Sequence, residues 1–130
     1  MENVRMLLVD DEADFLSTII KRLKHRGYDV HGATGGDDAL ELLQRLEIDV
    51  VVMDVKMPGR DGLNLLQEIK NRWPMVEVIM LTGHASVESG IRGMELGAFD
   101  YLMKPAKLDE LLQKVRQAVE RKRLREGQGG

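Results

Sequence analysis

The chain has 130 residues, 43% hydrophobic and 32% charged, enough for one compact domain with a core and unlike the composition of a disordered chain. A formal net charge of −3 gives no reason to expect nucleic acid or an anionic membrane as a direct partner of this segment. The lack of cysteine excludes a disulfide framework and a cysteine-ligated metal, and no apolar run approaches the roughly 18 residues that span a bilayer. The opening Met1-Glu2-Asn3-Val4-Arg5 lacks the charged-then-apolar plan of a signal peptide, so a cytoplasmic location is expected.

Strand-like and helix-like segments then alternate. Val4 to Val9 is nearly all apolar, as a strand buried on both faces should be. Phe15, Leu16, Ile19, Ile20 and Leu23 follow as one helical stripe, with Lys21, Arg22 and Lys24 opposite. Tyr28-Asp29-Val30-His31 alternates apolar and polar, the pattern of a strand at a sheet margin. Leu40, Leu43 and Leu46 mark a second helix, Ile48 to Met53 a buried strand, and Leu63, Leu66 and Ile69 a third helix. Val76 to Leu81 is again a buried strand, with Glu77 near its start. The fourth helix, Ser86 to Leu96, contains Gly90 and Gly93; each costs about 1 kcal/mol relative to alanine, so it should be the softest. Phe99 to Leu102 alternates like the second strand, and Leu108, Leu111, Leu112, Val115 and Val119 mark a last helix.

Strand and helix alternating in this way imply an α/β domain with a parallel sheet covered on both faces. Two marginal and three inner strands fit the flavodoxin-like, doubly wound order 2-1-3-4-5, with five helices. Residues 1–120 form the domain. Residues 121–130 are expected as a basic helix extension (Arg121, Lys122, Arg123, Arg125) ending in a disordered Gly127-Gln128-Gly129-Gly130. The extension reads either as a solvated helix end, where cations suit the macrodipole, or as a linker towards an output domain.

Ligands of such sheets bind beyond the carboxyl ends of the strands. The first strand is followed by Asp10, Asp11 and Glu12, the third by Asp54, the fourth by Thr82, Gly83 and His84, and the fifth by Lys104 and Pro105. Carboxylates gathered at one rim repel one another unless a cation sits among them, and hard oxygen ligands suit Mg²⁺. A carboxylate there can serve as nucleophile towards a phosphoryl group, with Lys104 as a point charge and Thr82 as a hydroxyl donor. Taken singly, Asp11 reads as a helix N-cap, Thr82 as a turn hydroxyl and Lys104 as a surface charge. Their convergence on one rim from separate segments favours the chemical reading.

At these residues the sequence resembles the receiver (CheY-like) domain of two-component response regulators, over about the first 120 residues. The resemblance lies in Leu7-Leu8-Val9-Asp10-Asp11-Glu12, Met53-Asp54-Val55-Lys56-Met57-Pro58-Gly59 with Asp61-Gly62, Met80-Leu81-Thr82-Gly83, Gly97 to Leu102, and Lys104-Pro105. It implies that Asp54 takes a phosphoryl group from a sensor histidine kinase. Asp10, Asp11, Asp54 and the backbone carbonyl of Lys56 would hold Mg²⁺. Thr82 and Tyr101 would be the switch pair, Lys104 would contact the phosphoryl oxygens, and the Lys104-Pro105 bond would be cis. Lys56 and His84 depart from the commonest small polar choices and would tune the lifetime of the phosphoryl group. The chain would catalyse only its own phosphorylation and dephosphorylation. It would control an output domain or effector, in part for transcription, and a phosphorylation-dependent homodimer through the face of helix four, strand five and helix five is consistent with that role.

Two other classes compete. A Mg²⁺-dependent phosphatase with an aspartyl nucleophile needs a general acid, usually an aspartate two residues after the nucleophile; Lys56 stands there. A flavin or nucleotide carrier needs a phosphate-cradling loop after the first strand, where Asp10-Asp11-Glu12 stands instead.

Overall fold

The computed structural model describes residues 4–56, 61–83 and 87–129. In chain order they form β1 (Arg5–Val9), α1 (Ala13–His25), β2 (Asp29–Ala33), α2 (Gly36–Arg45), β3 (Val50–Met53), α3 (Gly62–Arg72), β4 (Glu77–Thr82), α4 (Val87–Glu95), β5 (Asp100–Met103) and α5 (Leu108–Gly129). The strands make one parallel sheet in the order β2-β1-β3-β4-β5, as the alternation of apolar runs and amphipathic stripes predicts. Burial follows the same logic. Every residue of β3 and β4 is buried and all but the first of β1, whereas edge strand β5 alternates between more and less buried positions and edge strand β2 buries only Val30 and Ala33.

Because successive strand side chains point to opposite faces, the inner strands feed two cores. Leu7, Val9, Val51, Met53, Val78 and Met80 meet α2 and α3 through Leu40, Leu43, Leu65, Leu66 and Ile69. Met6, Leu8, Val50, Val52, Ile79 and Leu81 meet α1 and α5 through Leu16, Leu23, Leu111, Leu112 and Val115. α4 lies on the first of these faces, and Gly93 is the reason it can: a Cβ there would collide with the Met80 side chain. Helix ends also have local causes. Asp61 caps α3, its carboxylate accepting from the Leu63 N–H at 3.0 Å, and Gly97 follows α4 at φ +105°, a left-handed conformation that only glycine adopts cheaply.

The last helix is the longest of the described elements. α5 continues to Gly129. Its basic extension is tied to the amino end of the sheet. Arg121 Nε lies 2.8 Å from Glu77 Oε2, without hydrogen-bond alignment, and Arg125 donates to Glu77 Oε1 at 3.1 Å. Lys122 reaches Asp49 at 3.2 Å and Glu126 at 2.8 Å. Ion pairs take over where the apolar stripe stops at Val119. Among the described residues no helix is long and apolar enough to cross a membrane.

Candidate functional site

The backbone ladder continues beyond the strands and delivers the polar residues in register. Asp10 N–H donates to Ala33 C=O at 3.1 Å, Asp54 N–H to Val9 C=O at 3.1 Å, and Lys104 N–H to Thr82 C=O at 2.8 Å. Sheet hydrogen bonding therefore fixes where Asp10, Asp54 and Lys104 begin, before any side-chain contact forms. Asp10 and Asp54 stand beyond neighbouring strands β1 and β3, where the chain's winding reverses and such sheets bind their ligands.

The side chains converge. Asp10 and Asp54 are buried, at 4% and 5% exposure, and Lys104 Nζ bridges them, donating to Asp10 Oδ2 at 2.6 Å and Asp54 Oδ2 at 3.1 Å. Glu12 Oε1 is 3.7 Å from the same ammonium. Each buried carboxylate also accepts from a peptide N–H two residues on, Asp10 from Glu12 at 2.9 Å and Asp54 from Lys56 at 3.0 Å; these bonds turn the chain and hold both carboxylates in place. Burial alone pushes the Lys104 ammonium down, but its hydrogen bonds to Asp10 and Asp54 and their charges outweigh that and hold it above the ordinary lysine value.

Carboxylate oxygens of Asp10, Glu12 and Asp54 lie within 4.8 Å of one another. Such a hard-oxygen set fits Mg²⁺, which takes one or two carboxylates and keeps several waters. Asp11, expected among the ligands, is exposed and outside this group. The N-cap of α1 is Glu12, with no side-chain cap bond, so Asp11 is not that cap. Glu12 was visible in the sequence as a third rim acid; its backbone N–H, donating to the Asp10 carboxylate, holds it beside the site.

Thr82 is buried at the end of β4, joined through its carbonyl to Lys104. Tyr101 is 40% exposed on edge strand β5, its ring against α4 at Gly90, where a Cβ would come within 3.3 Å of it. Lys56 is exposed, and the atom it turns to Asp54 is its peptide nitrogen. His84 lies outside the described residues. The Lys104-Pro105 peptide is cis, as the resemblance implies.

A buried carboxylate, an acid cluster and a bridging lysine meet at the switch point of a 2-1-3-4-5 sheet, the arrangement expected of a phosphoryl-accepting signalling domain. The family model described as "Response regulator receiver domain" matches residues 6–116, and the chain belongs to that family. A response regulator receiver domain protein from Clostridium thermocellum is similar at 36% identity and TM-score 0.88, over 93% of this chain and 98% of that one. NtrX from Brucella abortus in complex with ADP is similar at 31% identity and TM-score 0.90, over 96% of this chain and 29% of the longer NtrX. The beryllofluoride-activated NtrC4 receiver domain dimer is similar at 34% identity and TM-score 0.84, over 91% and 98%. The chain is thus a signalling domain of two-component systems, and nothing in the comparisons favours a phosphatase.

Proposed function

We propose that Asp54 receives a phosphoryl group from a phosphohistidine on a sensor kinase. An Asp54 carboxylate oxygen forms the new O–P bond, the donor's N–P bond breaks, and its electron pair stays on the imidazole nitrogen. The observation that carries this is the buried Asp54 carboxylate ending the middle strand, bonded to Lys104 and grouped with Asp10. Lys104 supplies positive charge to the phosphoryl oxygens, and the acid cluster of Asp10 and Asp54 with Asp11 or Glu12 and the Lys56 carbonyl would hold Mg²⁺, which would offset further negative charge there. No external substrate is turned over. Lys56 and His84 each stand two residues past a key residue, Asp54 and Thr82, and a cation at Lys56 slows hydrolysis by crowding the attacking water.

Phosphate on Asp54 offers oxygens to Thr82, which draws the end of β4 inwards and lets Tyr101 leave its outward seat on Gly90. The surface that changes is that of α4, β5 and α5, where Ile91, Met94, Met103 and Leu124 are 56%, 44%, 49% and 61% exposed. Such apolar exposure suits a phosphorylation-dependent homodimer or an output partner, and the NtrC4 receiver is an activated dimer. The NtrX match, to 29% of that longer chain, favours an output in a longer regulator; an endpoint in transcription and a cytoplasmic location complete the proposal. Adding beryllofluoride and Mg²⁺ should shift the amide NMR signals of Asp54, Thr82, Tyr101 and Lys104 together and raise the sedimentation coefficient. Signals unchanged at Thr82 and Tyr101 would sink the switch.

A further inference from the structure

The Lys104 ammonium has a neighbour that carries no charge. Phe15, in the first turn of α1, presents its ring to Nζ at 4.3 Å from the centroid. The ring is itself anchored, packed against the core between the sheet and α1 and α5, and it lines a small, partly open gap of about 10 Å³ beside Asp10 and Asp54. Lys104 is only 14% exposed, so the contact is largely shielded from water, where cation–π attraction is strongest.

The chemistry gives that ring a purpose. A lysine ammonium is a point charge on a flexible four-carbon stem, and here two carboxylates compete for it. Phosphorylation moves negative charge outward from Asp54, and a metal ion at the acid cluster draws on Asp10, so the ammonium's two best partners change during the reaction. The ring face attracts the cation in every one of those states. It does so without adding a further negative charge to a site that already crowds Asp10, Glu12 and Asp54.

We propose that Phe15 is a positioning residue for Lys104: its ring face keeps the ammonium beside Asp54 while charge builds on the transferred phosphoryl group. This rests on Asp54 being the phosphoacceptor. The competing possibility is that Phe15 only fills the core, a task that leucine can share.

The test replaces Phe15 with mono-, di- and trifluorophenylalanine, which keep the ring's shape and progressively weaken its negative face. Phe15→Leu and Phe15→Trp complete the series. The rate of phosphate gain with acetyl phosphate and saturating Mg²⁺ is read by intact mass, beside a thermal melt of each variant. The rate should fall stepwise with fluorination, by roughly two- to thirty-fold at the trifluoro ring. Leu should match that loss, and Trp should retain the wild-type rate. A flat rate across the fluorinated series, with phosphate still added to the wild type, overturns the role of Phe15 alone. No phosphate on the wild type, or undiminished phosphate on Asp54→Asn, overturns the reading of the site and this inference with it.

Discussion

Glu77 shows how much of the fold's stability rests on one carboxylate remote from the chemistry. Its side chain is fully buried, 0% exposed, at the first position of β4. Three cations surround it, Arg121 at 2.8 Å, Arg125 at 3.1 Å and Lys70 at 3.4 Å. Removing one partner of a buried pair costs about 3–5 kcal/mol, because the other charge is stranded. In Glu77→Gln the stranded charge is chiefly Lys70, 13% exposed, since the arginines are 44% and 34% exposed and can turn to water. Lys70 keeps its bonds to the Pro74 and Val76 carbonyls at 2.9 and 2.8 Å, which sets the loss at the lower end, about 3 kcal/mol. For a domain of this size that is a fall of about 9–15 °C in Tm, read by circular dichroism and checked by urea unfolding. The double variant Glu77→Gln, Lys70→Met should recover most of it, because no charge is left buried. A Glu77→Gln protein within about 0.5 kcal/mol of wild type would refute the reasoning, since that is the scatter of ordinary surface substitutions.

Gly93→Ala sets propensity against packing: the helix gains about 1 kcal/mol, but the new Cβ must displace the flexible Sδ–Cε end of Met80. Met80 is buried at 1% exposure, so it has a packed core around it and moves at a cost of about 1–3 kcal/mol. A lower Tm is expected, where a rise would show that Met80 yields freely. Lys104 is held above its ordinary value, so its contribution to stability is complete below the unfolded lysine pKa of about 10.4 and is lost as pH rises through the higher folded value. The stability gap between wild type and Lys104→Met should therefore be level from about pH 6 to 9 and shrink in stronger alkali; a gap that widens there would be wrong in sign. Mg²⁺ at ten times its dissociation constant should add about 1.4 kcal/mol to wild-type stability, an increment that Asp10→Asn should abolish in a thermal melt.

What could be foreseen and what could not divide along physical lines. Val50 to Met53 and Glu77 to Thr82 are buried on both faces, while Asp29 to Ala33 and Asp100 to Met103 are half-covered. That contrast is written directly in apolar runs against alternation, so strand order follows from it. Strand order in turn names the rim where Asp10, Asp54, Thr82 and Lys104 must meet. Contacts made at right angles to the chain leave no such trace. Nothing periodic marks Glu12 as the acid that turns to Lys104 while the adjacent Asp11 faces solvent, because a single hydrogen bond from the Glu12 N–H to the Asp10 carboxylate decides it. Gly90 and Gly93 look like weaknesses of α4 until Tyr101 and Met80 are seen against them. The basic end of α5 looks solvated until its partner, Glu77, is found at the far end of β4, 44 positions before Arg121 in the chain.

The central claim is that Asp54 carries the phosphate, and the mass of the intact protein tests it most directly. After incubation with acetyl phosphate and Mg²⁺, the wild-type chain should gain a single phosphate, lost again with time or on adding hydroxylamine, and Asp54→Asn should gain none. An unchanged wild-type mass, or an equal gain in Asp54→Asn, would contradict the account.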